Sequence, residues 1–318
     1  MEKYDLIVIG GGVSGMTSAT VALEDGIKKV MIIERESSLG GLLRQCIHNG
    51  FGNKRLKTEI TGPEYINLIY RKLNDYNAEI KLDTQVLNVS KEKVVTYVNP
   101  KEGVQEVYGK TIILATGCRE SFDGNADIEN EDVLGIFTIE DSHRIINFEG
   151  YLPGKEPVIV ARNRWDLIVA KRFLIEGAKI RALIIQKNNM FTFNEEDKKI
   201  IEDLKIPIMI GGEIKEIMGD KRIEGVRVYT KDIDEWTIVA CDSLILSVNH
   251  FPELEYISKK DFEFDNVTKS LKVSNFKTNV DGIFACGNLI YGMESLGKND
   301  IDGIEAGKIA VSYIKETI

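Results

Sequence analysis

The 318-residue chain is poor in proline, with six residues, and in cysteine, with four, and it has no uninterrupted apolar run long enough to span a bilayer. Cys46, Cys118, Cys241 and Cys286 form no C-x-x-C pair, which argues against a zinc site or a thioredoxin-type redox disulfide. The three histidines are equally scattered, so we expect no metal centre. Free thiols are usual in a reducing compartment, and a strand-like segment already begins at Tyr4, so we expect a cytoplasmic protein without a signal peptide.

Clustered positive charge is also missing. Lys and Arg number 41 against 50 Asp and Glu, a formal net charge of −9 without any basic stripe, which excludes nucleic acid or an anionic membrane as the main partner. Hydrophobic residues make up 43% of the chain, enough for a globular rather than a disordered protein. Since a single core stops growing at about 250–300 residues, the length favours two packed units.

The strongest local pattern lies in the first 34 residues. The apolar run Leu6–Ile9 predicts a strand buried on both faces, and it leads directly into the glycine turn Gly10–Gly15. A helix should follow to Glu24, and a second apolar strand, Val30–Ile33, ends on Glu34. This order of a strand, a glycine turn, a helix, a second strand and an acidic residue predicts a βαβ unit that binds a dinucleotide. The alternative is a glycine-rich turn with a purely structural role, which would not require the flanking strands, the helix or the acidic residue.

Each residue type in this unit has a physical role. Gly10 allows the tight turn, Gly12 lets the backbone approach a pyrophosphate at the helix N-terminus, and Gly15 lets helix and strand pack closely. The carboxylate of Glu34 can accept hydrogen bonds from an adenosine ribose.

The βαβ pattern starts again in the second half of the chain, with a strand at Pro157–Val160, a helix over Asp166–Glu176 and a strand at Lys179–Ile185. Its turn contains no glycine. The three glycine positions and the ribose-binding acid position are filled by Ala161, Asn163, Asp166 and Gln186, and the turn also holds Arg162, Arg164 and Trp165. The two arginines can hold an anion or an acidic partner, or they can be solvated surface residues.

Three segments together, Gly10–Gly15, Ile112–Gly117 and Gly282–Asn288, resemble the pyridine nucleotide-disulfide oxidoreductase superfamily. The resemblance implies an α/β fold of two Rossmann-like three-layer dinucleotide-binding domains, the second inserted into the first. We therefore expect a discontinuous FAD-binding domain over residues 1–118 and 243–318. Residues 119–242 should form an NAD(P)-binding-like domain with a degenerate nucleotide turn.

A narrower likeness is carried by Leu42–Gly52, Thr61–Tyr65, Gly117–Glu120 and Glu149–Lys155. These segments look like the flavoprotein subunits of anaerobic glycerol-3-phosphate dehydrogenase-like proteins, dye-linked proline dehydrogenase, and sarcosine and opine oxidases. This likeness implies FAD-dependent electron transfer, often within a complex. It does not name the substrate.

The resemblance also assigns residues to FAD. They are Gly10, Gly12, Val13, Ser14 and Gly15 at the pyrophosphate, Glu34 and Arg35 at the adenosine, and Gly40, Gly41, Leu42, Ala115, Thr116, Gly117, Gly287 and Asn288 along the rest of the cofactor. Cys46 and His48 lie in the loop expected to approach the isoalloxazine ring. They are candidate catalytic residues that move protons or electrons, with a buried thiol and a packed imidazole as the alternative.

Three functions are consistent with these observations. The first is an FAD-dependent oxidoreductase or electron-transfer subunit that exchanges electrons with a redox protein partner, or receives them from a small reductant, and does not use NAD(P)H. The second is an NAD(P)H-dependent reductase with an atypical nucleotide turn, and the third is a non-catalytic subunit with structural FAD. Assembly into a homo-oligomer is open in each case.

Overall fold

The computed structural model describes residues 1–52, 56–121, 133–185, 194–291 and 299–317. The chain divides into two compact units, one of residues 1–119 with 250–318 and the other of residues 120–249. Among the described helices, none combines the length and apolar character that a membrane crossing requires.

The described strands are, in chain order, β1 (Glu2–Ile9), β2 (Val30–Ile33), β3 (Asn49–Phe51), β4 (Ile60–Thr61), β5 (Glu79–Lys81), β6 (Gln85–Val89), β7 (Val94–Asn99), β8 (Gly103–Leu114), β9 (Cys118–Ser121), β10 (Ile136–Thr138), β11 (Pro157–Ala161), β12 (Ala182–Ile185), β13 (Ile208–Ile210), β14 (Gly212–Met218), β15 (Gly225–Thr230), β16 (Glu235–Ala240), β17 (Ser243–Leu246), β18 (Asn249–Pro252) and β19 (Ile283–Ala285). The described α-helices are α1 (Val13–Glu24), α2 (Gly62–Asn74), α3 (Ile139–Arg144), α4 (Arg164–Ile175), α5 (Glu195–Leu204), α6 (Asn288–Tyr291) and α7 (Asn299–Glu316). A 3₁₀ turn spans Gly41–Gln45 and a π turn spans Ile145–Glu149.

The first unit contains a seven-stranded sheet. Its path is β5-β2-β1-β8-β7-β6, and β19 pairs with β8. Strands β5, β2, β1, β8 and β19 are mutually parallel, whereas β7 and β6 add an antiparallel hairpin. All four residues of the β1 segment Leu6–Ile9 are buried, because the parallel part of the sheet has apolar layers on both faces.

One of those layers brings α1 and α7 into close contact. An added Cβ at Gly303 would lie 2.5 Å from the carbonyl oxygen of Ser14, and one at Gly307 would lie 2.9 Å from that of Ser18. The two glycines therefore let α7 approach the backbone of α1. Helix α2 begins at a capping box of Thr61 and Glu64.

The second unit contains a five-stranded parallel sheet in the order β10-β17-β11-β12-β13. The antiparallel sheet β14-β15-β16 packs on one face, where Val226 and Val228 join the core around Val158 and Val160. Helices α3, α4 and α5 supply the apolar layer of the other face. The predicted α/β class with Rossmann-like parallel sheets is confirmed.

The structure corrects one predicted boundary. Strand β17 pairs with β10 and β11, so the chain returns to the first unit near residue 250 and not at residue 243. The sequence pattern could not show this, because a buried apolar strand fits the interior of either parallel sheet equally well. The assignment of FAD to the first unit and of a degenerate nucleotide turn to the second stays a prediction.

Candidate functional site

Two glycines of the first turn are required by close backbone packing. Gly10 has φ +101°, and an added Cβ would lie 2.4 Å from the carbonyl oxygen of Ala115. A Cβ at Gly15 would lie 1.9 Å from the carbonyl oxygen of Gly10. Real Cβ contacts do not reach these distances, so both glycines hold β1, α1 and the end of β8 together.

Gly12 has different surroundings. Its φ of −70° is open to any residue, and an added Cβ would meet no atom within 4 Å. Gly12 is the N-cap of α1, and no side chain caps this helix end. Because the first-turn amides of a helix have no partners within the helix, this open space faces a helix N-terminus suited to a phosphate.

The carboxylate of Glu34 is held by two backbone amides. One oxygen accepts a hydrogen bond of 2.6 Å from the Gly11 amide, and the other accepts one of 2.9 Å from the Glu36 amide. Glu34 is buried beside the glycine turn. Since a carboxylate has about four acceptor positions, lone pairs remain for ribose hydroxyls.

Separated parts of the chain meet at the start of α1. Gly40 donates a 2.8 Å hydrogen bond to the Gly11 carbonyl, and a Cβ at Gly41 would lie 3.2 Å from the Cα of Gly12. From the end of the chain, a Cβ at Gly287 would lie 2.5 Å from the hydroxyl of Ser14.

The next residue, Asn288, carries a buried side-chain oxygen that has no hydrogen-bond partner among the described residues. A buried amide oxygen that lacks a hydrogen-bond partner lowers the stability of the folded protein, so it indicates a site for a bound donor group.

Of the other predicted cofactor residues, Val13 is buried at the start of α1 and Leu42 lies half-buried in the 3₁₀ turn.

The end of β8 is tied to the segment that returns from the second unit. Thr116 donates a 2.9 Å hydrogen bond to the Glu253 carbonyl, and its hydroxyl also lies 2.9 Å from that of Tyr256. The Glu253 amide donates to the carbonyl of Gly117, a residue with φ +76° whose Cβ position is open. Sequence reasoning missed Glu253 and Tyr256, because they belong to no recognised motif and only the chain return brings them here.

The Glu253 side chain joins two arginines. It forms an ion pair with Arg35 and a second one, of 2.9 Å, with Arg119. Burial raises the pKa of the Glu253 carboxyl, and the neighbouring Arg35 opposes that shift. Arg35, which follows Glu34 in the chain, also lies 3.7 Å from the carboxylate of Glu36.

The two predicted catalytic residues lie in packed surroundings. Cys46 is 1% exposed, its thiol donates to the Leu42 carbonyl at 3.2 Å, and its Cβ would lie 2.8 Å from a Cβ at Gly62. The Nδ1 atom of His48 lies 2.8 Å from the carbonyl oxygen of its neighbour Asn49. Burial lowers the pKa of His48, which keeps the ring neutral at pH 7. These contacts favour the packing alternative for Cys46, and the catalytic roles stay predictions.

No disulfide bond joins the four cysteines in the part of the chain that the structure describes. Cys286 is fully buried, and burial raises the pKa of its thiol. Burial also raises the pKa of Cys241 to about 11. Cys118 is partly exposed and donates to the Asn288 carbonyl at 3.1 Å. Thiols with raised pKa values are poor nucleophiles, so Cys241 and Cys286 are unsuited to disulfide exchange.

The turn of the second unit is closed by its own side chains. The Asp166 carboxylate accepts hydrogen bonds from the Arg162 amide at 2.6 Å and from the Asn163 amide at 3.0 Å. In return, the Asn163 side chain accepts from the Asp166 amide at 3.2 Å, which completes a capping box on α4. Asp166 is 1% exposed. A carboxylate therefore lies at the helix start where a phosphate would bind, and the Asn163 side chain takes the first-turn amide of Asp166.

The other side chains of this turn also have partners. Arg162 donates to the side chain of Asn249 at 3.0 Å, and Arg164 lies 3.5 Å from a carboxylate oxygen of Asp197. Trp165 packs edge-on against His143, with ring centroids 5.0 Å apart. The ribose position predicted at Gln186 lies outside the described residues.

Comparison with known proteins shows similarity along the whole chain. Residues 4–151 match the family described as pyridine nucleotide-disulphide oxidoreductase. The chain is 23% identical over 298 residues to Ferredoxin--NADP reductase 1 of Listeria monocytogenes, which covers 90% of this chain and 85% of that protein. It is 23% identical over 323 residues to thioredoxin reductase of Peptoclostridium acidaminophilum, covering 98% and 97%.

Solved structures show the same fold. Thioredoxin reductase from T. acidophilum matches with a TM-score of 0.77 at 18% identity over 100% of both chains. L-proline dehydrogenase from P. horikoshii matches with a TM-score of 0.67 at 21% identity, covering 99% of this chain and 56% of that one.

Proposed function

We propose that this chain, an oxidoreductase similar to the pyridine nucleotide-disulfide oxidoreductase superfamily, binds FAD in the first unit and exchanges electrons with a redox protein partner. The observation that carries the proposal is the contrast between two equivalent helix starts. The start of α1 at Gly12 is open and has no side-chain cap, whereas the start of α4 is closed by Asn163 and Asp166.

The residues of the first unit fit FAD. The first-turn amides of α1 would hold the pyrophosphate, Glu34 would accept from the adenosine ribose, and the unpartnered oxygen of Asn288 would accept from the cofactor. Bound FAD would supply two-electron redox chemistry. Gly287 and Gly41 keep the backbone close to α1 without a side chain that would fill the groove.

The residues of the second unit do not fit NAD(P)H. A phosphate would have to displace the Asp166 carboxylate from two backbone amides and then lie beside that negative charge. Hydrogen bonds to charged groups contribute about 1.5–3 kcal/mol each, so the displacement weakens nucleotide binding by several powers of ten. We therefore propose that neither NADH nor NADPH is the electron donor.

With NADH and NADPH argued against as donors, we propose a redox protein as the electron donor or acceptor. The similar proteins are named for ferredoxin or for thioredoxin, which are themselves redox proteins. The described structure records no disulfide among the four cysteines, and burial raises the thiol pKa of Cys241 and Cys286, so electrons need not pass through an internal disulfide.

A second candidate is an NAD(P)H-dependent reductase, which the names of the ferredoxin--NADP reductases favour. An anaerobic titration of the purified FAD-loaded protein with NADH, NADPH, reduced ferredoxin and dithionite separates the two. We expect ferredoxin and dithionite to bleach the flavin, whereas neither nicotinamide does so at a useful rate. Rapid bleaching by submillimolar NADH or NADPH that is lost in Arg162→Ala/Arg164→Ala would establish the reductase. Bleaching by dithionite alone would indicate a structural cofactor.

The same titration measures the number of electrons taken up. We expect two electrons per FAD in the wild type and in Cys46→Ser, since no thiol pair adds capacity. Uptake of four electrons that falls to two in Cys46→Ser or Cys286→Ser would reveal a disulfide between distant cysteines.

A further inference from the structure

The end of β2 carries both residue types that select between adenosine riboses. An acidic residue at this position hydrogen-bonds a free 2′-hydroxyl, whereas a nearby arginine accommodates a 2′-phosphate. Here Glu34 is followed directly by Arg35, whose side chain is 31% exposed. Glu34 favours a ribose with a free 2′-hydroxyl and Arg35 favours a ribose with a 2′-phosphate, so the preference of the site depends on a third group.

Glu253 is placed to determine which of the two riboses binds. Its carboxylate is only 11% exposed and is paired with the Arg35 guanidinium. Glu34 and Glu253 are close enough for each to affect the other's charge, so all three groups share one small region. A guanidinium that is already paired with a buried carboxylate offers less net charge to a phosphate.

The backbone keeps this carboxylate in position. The Glu253 amide donates to the Gly117 carbonyl at 3.1 Å, and the Glu253 carbonyl accepts from Thr116 at 2.9 Å. Tyr256, three residues further on, is buried, and its hydroxyl lies 2.9 Å from the same Thr116 hydroxyl. Arg119 pairs at 2.9 Å with the same carboxylate oxygen of Glu253 as Arg35 does. Glu253 is therefore a fixed group and not a mobile surface acid.

We infer that Glu253 is a specificity-determining residue, which neutralises Arg35 so that the first unit accepts an adenosine ribose with free hydroxyls and rejects a 2′-phosphorylated one. This inference rests on the proposed FAD site. Glu34 then becomes the group that recognises the ribose, and the site prefers the ADP half of FAD to nucleotides that carry a ribose phosphate.

The test is calorimetric binding of ADP and of adenosine 2′,5′-bisphosphate to the full-length apoprotein. We expect the wild type to prefer ADP. Glu253→Gln should raise affinity for the bisphosphate by roughly tenfold, the change made by one charge-assisted hydrogen bond. Adding Arg35→Ala should cancel that gain. Glu255→Gln, which removes an exposed carboxylate two residues away, is the matched control and should leave both affinities unchanged.

Each outcome is decisive. If Glu253→Gln behaves like Glu255→Gln while the wild type binds FAD and ADP, the inference is wrong and the proposed function stands. If the wild-type apoprotein binds neither FAD nor ADP, both are wrong. Should Glu253→Gln not fold, Glu253→Asp is the second variant, because its shorter side chain weakens the ion pair with Arg35 and should raise affinity for the bisphosphate several-fold. Affinity for the bisphosphate equal to that of the wild type would overturn the inference.

Discussion

Gly12 and Gly15 lie three residues apart in one turn, yet a side chain would meet different surroundings at each. At Gly15 it would collide with the Gly10 carbonyl, whereas at Gly12 it would enter open space in front of α1. The first glycine therefore serves the proposed ligand, and the second serves the fold.

We predict opposite effects of substitution at the two positions. Gly12→Val should destabilise the apoprotein by no more than about 1 kcal/mol, the cost of valine at an N-cap, because the added side chain meets no atom of the described residues. Its FAD affinity should fall more than about tenfold, because the pyrophosphate can no longer approach the backbone. Gly15→Ala should destabilise the apoprotein itself by about 1–3 kcal/mol through overpacking.

Thermal melts of both apoproteins and fluorescence titrations with FAD test this pair. Equal FAD affinity of Gly12→Val and the wild type would remove the proposed pyrophosphate site from the start of α1.

At the scale of elements, α1 and α4 follow equivalent strands but begin differently. Helix α1 starts at a glycine without a side-chain cap, and α4 starts at a reciprocal Asn163–Asp166 capping box. Helix α5 starts at a similar box of Asn194 and Asp197. In the second unit, side chains thus perform the capping that we propose the cofactor performs in the first.

We predict that the α4 box contributes to stability and not to cofactor binding. Asn163→Ala should cost about 1 kcal/mol and Asn163→Gly only a few tenths, as for other N-caps. Asp166→Ala should cost about 1–3 kcal/mol, because it leaves two amide donors without their acceptor. Asn194→Ala on α5 is the matched control for the loss of a cap.

Urea unfolding measures these costs, and FAD titration should show unchanged affinity in all four variants. Stabilisation by Asp166→Ala, or increased affinity of that variant for FAD, would show that the carboxylate does not cap α4.

At the scale of the whole molecule, the first unit is built from two distant parts of the chain. Residues 1–119 supply most of the sheet, and residues 250–318 add β19 and α7. The strands that leave and re-enter this unit, β9 and β18, pair with each other. The two ends of the interruption are therefore close in space.

We predict that the first unit can bind FAD by itself. Replacing residues 120–249 with a short Gly-Ser linker should leave a folded protein, because its sheet and its α1–α7 layer stay complete. FAD affinity should stay within about tenfold of the full chain. Absorbance of the purified variant and FAD titration test this, with the full chain as reference. A soluble, folded variant without FAD affinity would place part of the cofactor site in residues 120–249.

The sequence by itself determined the α/β class, the likeness to the oxidoreductase superfamily and the end of α1 at Glu24, because glycine turns and apolar runs act over a few neighbouring residues. It failed where a local pattern fits two environments. Residues 243–246 were expected in the FAD-binding domain, but they form β17 in the sheet of the second unit. The predicted roles of the cofactor residues and of Cys46 and His48 stay predictions.

Only the tertiary structure decided which side chains surround the site. Glu253 is far from Arg35 in the chain, and Gly287 is far from Ser14, so no motif spacing can join them. The missing glycines near Asp166 were visible in the sequence, but the two amides that its carboxylate occupies were not. Hydrogen bonds and ion pairs depend on distances of a few ångströms in space, which local periodicity and residue type do not encode.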